Sequence, residues 1–244
     1  MRHPILLSIF LLLSAFALKA YGQNLQINDL EYFEDTGINV LVYSNNYAGM
    51  FCDEKTAAIE LILRGERIST GGGIRLMNTP EQWDIFPDLV NRTVNRADNS
   101  IELELKYNDY DFTSRIKVTS YGKGVRLVVY LDKPVPEKLV GRAGLNWEFF
   151  PASFFGKTYM MDGQPGILPM YPADNTHMLP RSEKIEQFYG LSTFDDRGLA
   201  EFVVPHPFSK GNTLVFAPED PDLRVSISSQ SEINLFDGRN LAQN

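Results

Sequence analysis

The sequence carries one cysteine, Cys52, in 244 residues. That excludes an internal disulfide framework and any zinc site built from several thiolates, so packing must hold the fold. Cys52 also lies far beyond the apolar N-terminal run, out of place for the lipid-acceptor cysteine of a lipoprotein signal, and its plain reading is a small buried apolar residue. Histidine is nearly as scarce, with three residues. Positive charge is in deficit, 23 Lys and Arg against 31 Asp and Glu, for a formal net charge of −8. An acidic chain of this kind lacks the electrostatic footprint of a nucleic-acid binder. Long apolar runs are missing except at residues 5–18, which fall short of the roughly 18 residues that cross a bilayer. No membrane span is expected. What remains, 43% hydrophobic and 22% charged residues, is globular composition.

The one apolar run follows Arg2 and His3 and is closed by Lys19 and the small-x-small site Ala20-Tyr21-Gly22. This is the pattern of a secretory signal peptide over 1–22, cleaved before Gln23. The expected mature chain, 23–244, is exported to the periplasm or the extracellular space. It has 222 residues and, without Arg2 and Lys19, a net charge of −10. That length buries a real core as one large or two modest domains.

Helical periodicity is nearly absent: only 182–189, with Ser182 as cap and Gly190 as stop, would hold about two turns. Period two is everywhere instead. In 101–107, Ile101, Leu103, Leu105 and Tyr107 share one face, and Glu102, Glu104 and Lys106 the other. A second run places Phe112, Ile116 and Val118 together, and a third places Val125, Leu127, Val129 and Leu131 together, making a three-stranded meander with one buried face. Further strands are expected at 38–43, 57–63, 144–150, 213–217, 223–228 and 232–236. Gly71-Gly72-Gly73 precede the strand-like 74–76, so they predict a turn or bulge rather than a phosphate-binding loop. The fold class is therefore all-β: a large antiparallel β-sandwich of two packed sheets, with a supersandwich of the galactose-mutarotase type as its larger variant. No repeat of propeller period is present.

Chemistry is harder to place. Residues 164–211 hold six prolines and two histidines and read as a long-loop region that either wraps the sandwich or carries a site. His177 and His206, with Asp174, Asp195, Asp196 and Glu201, match no metal-ligand spacing and read as loop residues. Asp109 and Asp111, and the acids of Glu219-Asp220-Pro221-Asp222, start no calcium loop and read as turn formers. No cofactor and no metal are expected. A glycosidase would need two carboxyls across a sugar, and Glu148, Asp162, Glu201 and Asp237 are all available; the sequence prefers none, and no catalytic residue is assigned. Trp83, Trp147, Tyr107, Tyr110, Tyr159 and Tyr171 supply flat surfaces on which sugar rings could stack. Trp147, between Leu145 and Phe149, reads as core. Trp83, in the polar stretch TPEQWD at 79–84, is the candidate ligand-binding residue.

Six stretches carry a family resemblance: GINVLVYSN at 37–45, TPEQWD at 79–84, LDKPVP at 131–136, YMMDG at 159–163, FAPEDP at 216–221, and LFDGRN at 235–240 with AQN at 242–244. Together they resemble the amino-terminal region of bacterial multidomain glycoside hydrolases of family nine, the cellulase-like endoglucanases. In that family catalysis belongs to a separate helical (α/α)₆ barrel, and its Asp-Ala-Gly-Asp signature is absent here. The resemblance thus implies a non-catalytic N-terminal β-sandwich accessory module of a secreted glycoside hydrolase acting in polysaccharide degradation, incomplete at its C-terminal end. Its implied partners are a plant-type polysaccharide or oligosaccharide and the missing catalytic domain of the same enzyme. Two alternatives stand beside it: a self-sufficient sugar-active hydrolase or lyase on a large sandwich, and a stand-alone glycan-binding protein using Trp83.

Overall fold

A computed structural model describes residues 24–44, 57–76, 87–140, 143–171 and 207–238. The signal segment, Cys52 and the 182–189 helix lie outside the described residues. In the first part of the chain the strands are β1 (Gln26–Ile27), β2 (Phe33–Asp35), β3 (Ile38–Ser44), β4 (Ala57–Leu63), β5 (Glu66–Leu76), β6 (Asp88–Asn95) and β7 (Ser100–Tyr107). They are followed by β8 (Phe112–Tyr121), β9 (Gly124–Leu131), β10 (Ala143–Phe149), β11 (Thr158–Met161), β12 (Gln164–Ile167), β13 (Ser209–Phe216) and β14 (Val225–Leu235). The only α-helix among the described residues is one turn, Pro151–Phe154.

Among the described residues all pairings are antiparallel and build three sheets: six strands in the order β1-β2-β3-β4-β5-β10, four in the order β6-β7-β8-β9, and four in the order β12-β11-β13-β14. The protein is an all-β sandwich. Its second layer is split, because the six-stranded sheet is covered on one face by two separate four-stranded sheets. Alternation explains how. Phe33, Val40, Val42 and Ile59 point inward against Ile101, Leu103, Leu105, Ile116 and Val118 of the β6–β9 meander, all buried. Further along the same face, Leu61, Leu63, Ile68 and Phe149 meet Met161, Leu214 and Phe216 of the third sheet, with Phe154 of the helical turn between them. Leu61 belongs to both clusters. An aromatic chain joins them: Trp147 lies 5.7 Å from Phe149, which lies 4.6 Å from Phe216. Each fully buried side chain of this size contributes about 1.5–3 kcal/mol against the entropy of ordering the chain.

The glycine triplet forms a bulge inside a strand. Against β4, Ile59 pairs with Gly72 and Leu61 with Ser69; against β10, Asn146 pairs with Gly73 and Glu148 with Thr70. On both sides β5 spends one more residue than its neighbour, and Gly71 takes φ +62° to absorb it. The two strands expected at 223–228 and 232–236 are one, β14. It still pairs with β13 in two segments, Val225–Ser228 with Thr213–Phe216 and Ile233–Leu235 with Ser209–Gly211, and residues 229–232 between them form an irregularity in which Ser231 N–H donates to Ser229 Oγ at 3.1 Å.

Candidate functional site

The inward set of the six-stranded sheet fixes an outward set by parity. Along AAIELIL, Ile59 and Leu61 enter the core, so Glu60 faces the other way. Cross-strand register then lines up Leu41 of β3 with Glu60, and Thr70 of β5 with Glu148 of β10. This outer face carries a polar network. The Glu60 side chain is 3% exposed, unusual for a lone acid on an outward position. The Tyr43 hydroxyl, at 3.0 Å, and the Thr70 hydroxyl, at 2.8 Å, both donate to Glu60 Oε1. Arg67 Nε stands 3.0 Å from Oε2 as an ion pair, outside hydrogen-bond alignment. Burial first, then the charge and hydrogen bond of Glu60, push the Tyr43 hydroxyl up to about 12, and Arg67 offsets part of this. Tyr43 is therefore a neutral donor at any physiological pH.

One strand further, Arg75 Nη1 contacts Glu148 Oε1 at 3.3 Å, and Asn146 Nδ2 donates to the same oxygen at 3.5 Å. Glu60 and Glu148 thus share a face with β5 between them, which sets their backbones about 9.5 Å apart at the usual interstrand spacing. The groups open to a ligand are Arg67 and Glu148, whose side chains are 55% and 44% exposed. Glu60 acts beneath them, fixing the Arg67 guanidinium and the two hydroxyls.

Of the residues singled out from sequence, Glu148 joins this face and Asp162 does not. Asp162 sits in the β11–β12 turn and accepts from the Asn212 and Thr213 backbone N–H groups and the Thr213 hydroxyl. These bonds, the hydroxyl first, hold its carboxyl below the usual range. Asp237 is buried. The acids at 219–222 make a turn: Glu219 accepts from Thr158 N–H, and Asp220 accepts from Lys157 and from Asp222 N–H. Asp111 pairs with Lys133 at 2.7 Å. Among the described residues no group of three His, Cys, Asp or Glu could hold a metal ion.

Trp147 packs on the core, its indole N–H donating to Ser69 Oγ at 2.9 Å. Tyr107 is buried, its hydroxyl bonded to Ile74 O at 3.0 Å. Tyr110 packs beside Phe112 and Leu139. Tyr159 meets Phe208 edge-on at 5.6 Å, and Tyr171 is exposed. Trp83, His177, His206, Asp174, Asp195, Asp196 and Glu201 lie outside the described residues. Sequence reasoning missed Glu60 as a site residue. Its signal was a single acid within an otherwise apolar strand. No protein-family model matches the chain, and no curated protein or solved structure matches it.

Proposed function

We propose that the chain is a non-catalytic β-sandwich accessory module of an exported, cellulase-like glycoside hydrolase. In this reading it holds a plant-type β-glucan on the outer face of the six-stranded sheet and works with a catalytic domain of the same enzyme. The observation that carries the reading is the Glu60 network: a buried carboxylate that orients Arg67, Tyr43 and Thr70 on the outer sheet face, beside the exposed carboxylate of Glu148. Sugars are recognised by such fixed donors and acceptors. Groups ordered before the ligand arrives lose little freedom on binding. Trp83 would supply the stacking surface.

The test is calorimetric titration of the chain with mixed-linkage β-glucan. Glu148→Ala is expected to weaken binding at least tenfold with little change in melting temperature, and Arg67→Ala to weaken it as much while lowering the melting temperature, because buried Glu60 loses its counter-charge. Unchanged affinity in both variants, or no binding by the parent chain, would sink the proposal.

A second reading, a self-sufficient sugar hydrolase, is favoured by one observation. Glu60 and Glu148 stand on one face of the sheet with a single strand between them, so that face carries the two carboxyls such an enzyme requires. It requires release of reducing sugar that Glu148→Gln abolishes. The accessory-module reading expects no release.

A further inference from the structure

The outer face does not end at the Glu60 network. Cross-strand register runs in one line from Arg67 through Ile62 and Asn39 to Glu34 and Gln26, strand by strand from β5 to β1. At the end of that line lies an open pocket of about 430 Å³, lined by Asn24, Gln26, Glu34, Asp35, Thr36 and Asn39, with Gly37 in the turn beside them. Its central acceptor is held in place. Asn28 Nδ2 donates to Glu34 Oε2 at 3.0 Å, and Asn39 Nδ2 approaches Oε1 at 3.5 Å. Asn28 is itself fixed, its side-chain oxygen accepting from the Leu30 and Tyr32 N–H groups. Asp35 Oδ1 accepts from Thr36 N–H at 2.8 Å, and the Gly37 carbonyl accepts from Arg64 N–H at 2.7 Å, so the β2–β3 turn that walls the pocket is tied to the β4–β5 turn.

We infer that this pocket is a sugar subsite that takes the end of a neutral oligosaccharide lying across the sheet. The inference rests on the glycan-binding reading of the same face. Its chemistry is specific. The lining offers side-chain amides, which both donate and accept, two carboxylates that accept pairs of hydroxyl donors, and a hydroxyl, but no cation. Two carboxylates with no lining cation disfavour anionic sugars such as uronates, whereas the hydroxyls of a neutral pyranose match the amides, carboxylates and hydroxyl of the lining. Among the described residues no third His, Cys, Asp or Glu stands with Glu34 and Asp35 as a metal-binding group. From Asn39 on the pocket rim to Arg67 the line crosses two strand spacings, about 10 Å, room for one or two sugar units between the pocket and Arg67. Among the described residues β1 is the outermost strand of its sheet, so a sugar chain reaching the pocket has come to that edge.

The experiment titrates the full chain with cellotetraose and, separately, with tetragalacturonate, in the parent protein and in Glu34→Ala, Asn39→Ala and Arg67→Ala. The expected result is cellotetraose binding weakened at least tenfold by Glu34→Ala and severalfold by Asn39→Ala, at unchanged melting temperature, with no measurable binding of tetragalacturonate. Binding lost in Arg67→Ala but intact in Glu34→Ala overturns the subsite and leaves the face reading standing. Binding lost in Glu34→Ala but intact in Arg67→Ala upholds the subsite and overturns the extended face. A preference for tetragalacturonate overturns the ligand class, and a parent chain that binds neither sugar overturns both readings together.

Discussion

Glu60 shows how a single residue can be decided by its neighbours rather than by its type. Its two hydroxyl donors and Arg67 make burial of the charge tolerable, and removing the carboxylate strands them. Glu60→Ala is expected to destabilise the fold by about 2–3 kcal/mol, since Arg67 is half exposed and regains water while the two hydroxyls are left short of an acceptor. Glu60→Gln, which keeps an acceptor oxygen, should cost less. Chemical denaturation of both variants checks the order, and equal losses would mean that shape rather than hydrogen bonding sets the site. Tyr43 offers a separate readout. Its hydroxyl, ordinarily at 10.0, is raised to about 12 in the folded chain. A raised value means that the neutral form is favoured by folding: the contribution is complete below pH 10 and is lost as pH rises from 10 toward 12. Absorbance titration at 295 nm should show a late-ionising tyrosine that Tyr43→Phe removes; a native chain with every tyrosine titrating near 10 would contradict the network. Little of this was legible in the sequence. Glu148 was named as an available carboxyl, but its companionship with Glu60 depends on the β4–β5–β10 register, and a bulge sets that register.

At the scale of elements, β5 is the strand on which the register of the six-stranded sheet turns. Its bulge needs the positive φ of Gly71 and the bare Cα of Gly72. A Cβ at Gly72 would stand 2.8 Å from the Ile59 carbonyl oxygen and 2.9 Å from Ile59 Cβ, with the Trp147 indole at 3.3 Å. Backbone cannot swing aside as a side-chain tip can. Gly72→Ala is therefore expected to cost about 1–3 kcal/mol and to disturb the Trp147 fluorescence. Gly122→Ala, at φ +60° in open space, should cost only about 1 kcal/mol and leave that signal alone. Equal effects in the two variants would show that backbone conformation rather than close approach governs Gly72. The strands themselves were legible wherever one face is buried, as in β7 and β8, where alternate residues are fully enclosed. Period two failed where burial is one-sided and weak. β6 alternates between exposed and half-buried residues and went unread, as did the short β1, β2, β11 and β12. Polar serines at an edge made β14 look like two strands. The split of the second layer could not be foreseen, because no local pattern states which sheet a strand will join.

Across the whole molecule, the two halves of the split layer differ in how they are pinned, and this gives them different responses to acid. The third sheet is tied by carboxylates. Asp162 binds the β13 backbone and the Thr213 hydroxyl, Glu219 binds the start of β11, and Asp220 binds Lys157. All three titrate below their ordinary values of 3.8, 4.5 and 3.8: Asp162 chiefly through the Thr213 hydroxyl, Glu219 through Thr158 N–H, and Asp220 through the Lys157 hydrogen bond. The meander relies on its apolar face, and its one carboxylate held low is Asp111, exposed beside Lys133. A lowered folded value means that the ionised form is favoured by folding. Its contribution is present above the ordinary carboxylate range and is lost as pH falls through the folded values, below about pH 4. Lys157, raised by the Asp220 bond, has the opposite sign: its share is complete below 10.5 and fades above it. The third sheet should therefore open first on acidification. Hydrogen exchange at pH 3 and pH 7, corrected for intrinsic rates, is expected to show amides of β11 and β13 losing protection while β7 and β8 retain it. Asp162→Asn should weaken the third sheet at pH 7 and narrow the difference between the two pH values, because the replaced group can no longer be protonated away. Uniform loss of protection in both sheets at pH 3 would mean that the molecule unfolds as one cooperative unit, with the shared Leu61 and the Trp147–Phe149–Phe216 chain coupling the halves more strongly than the carboxylates separate them.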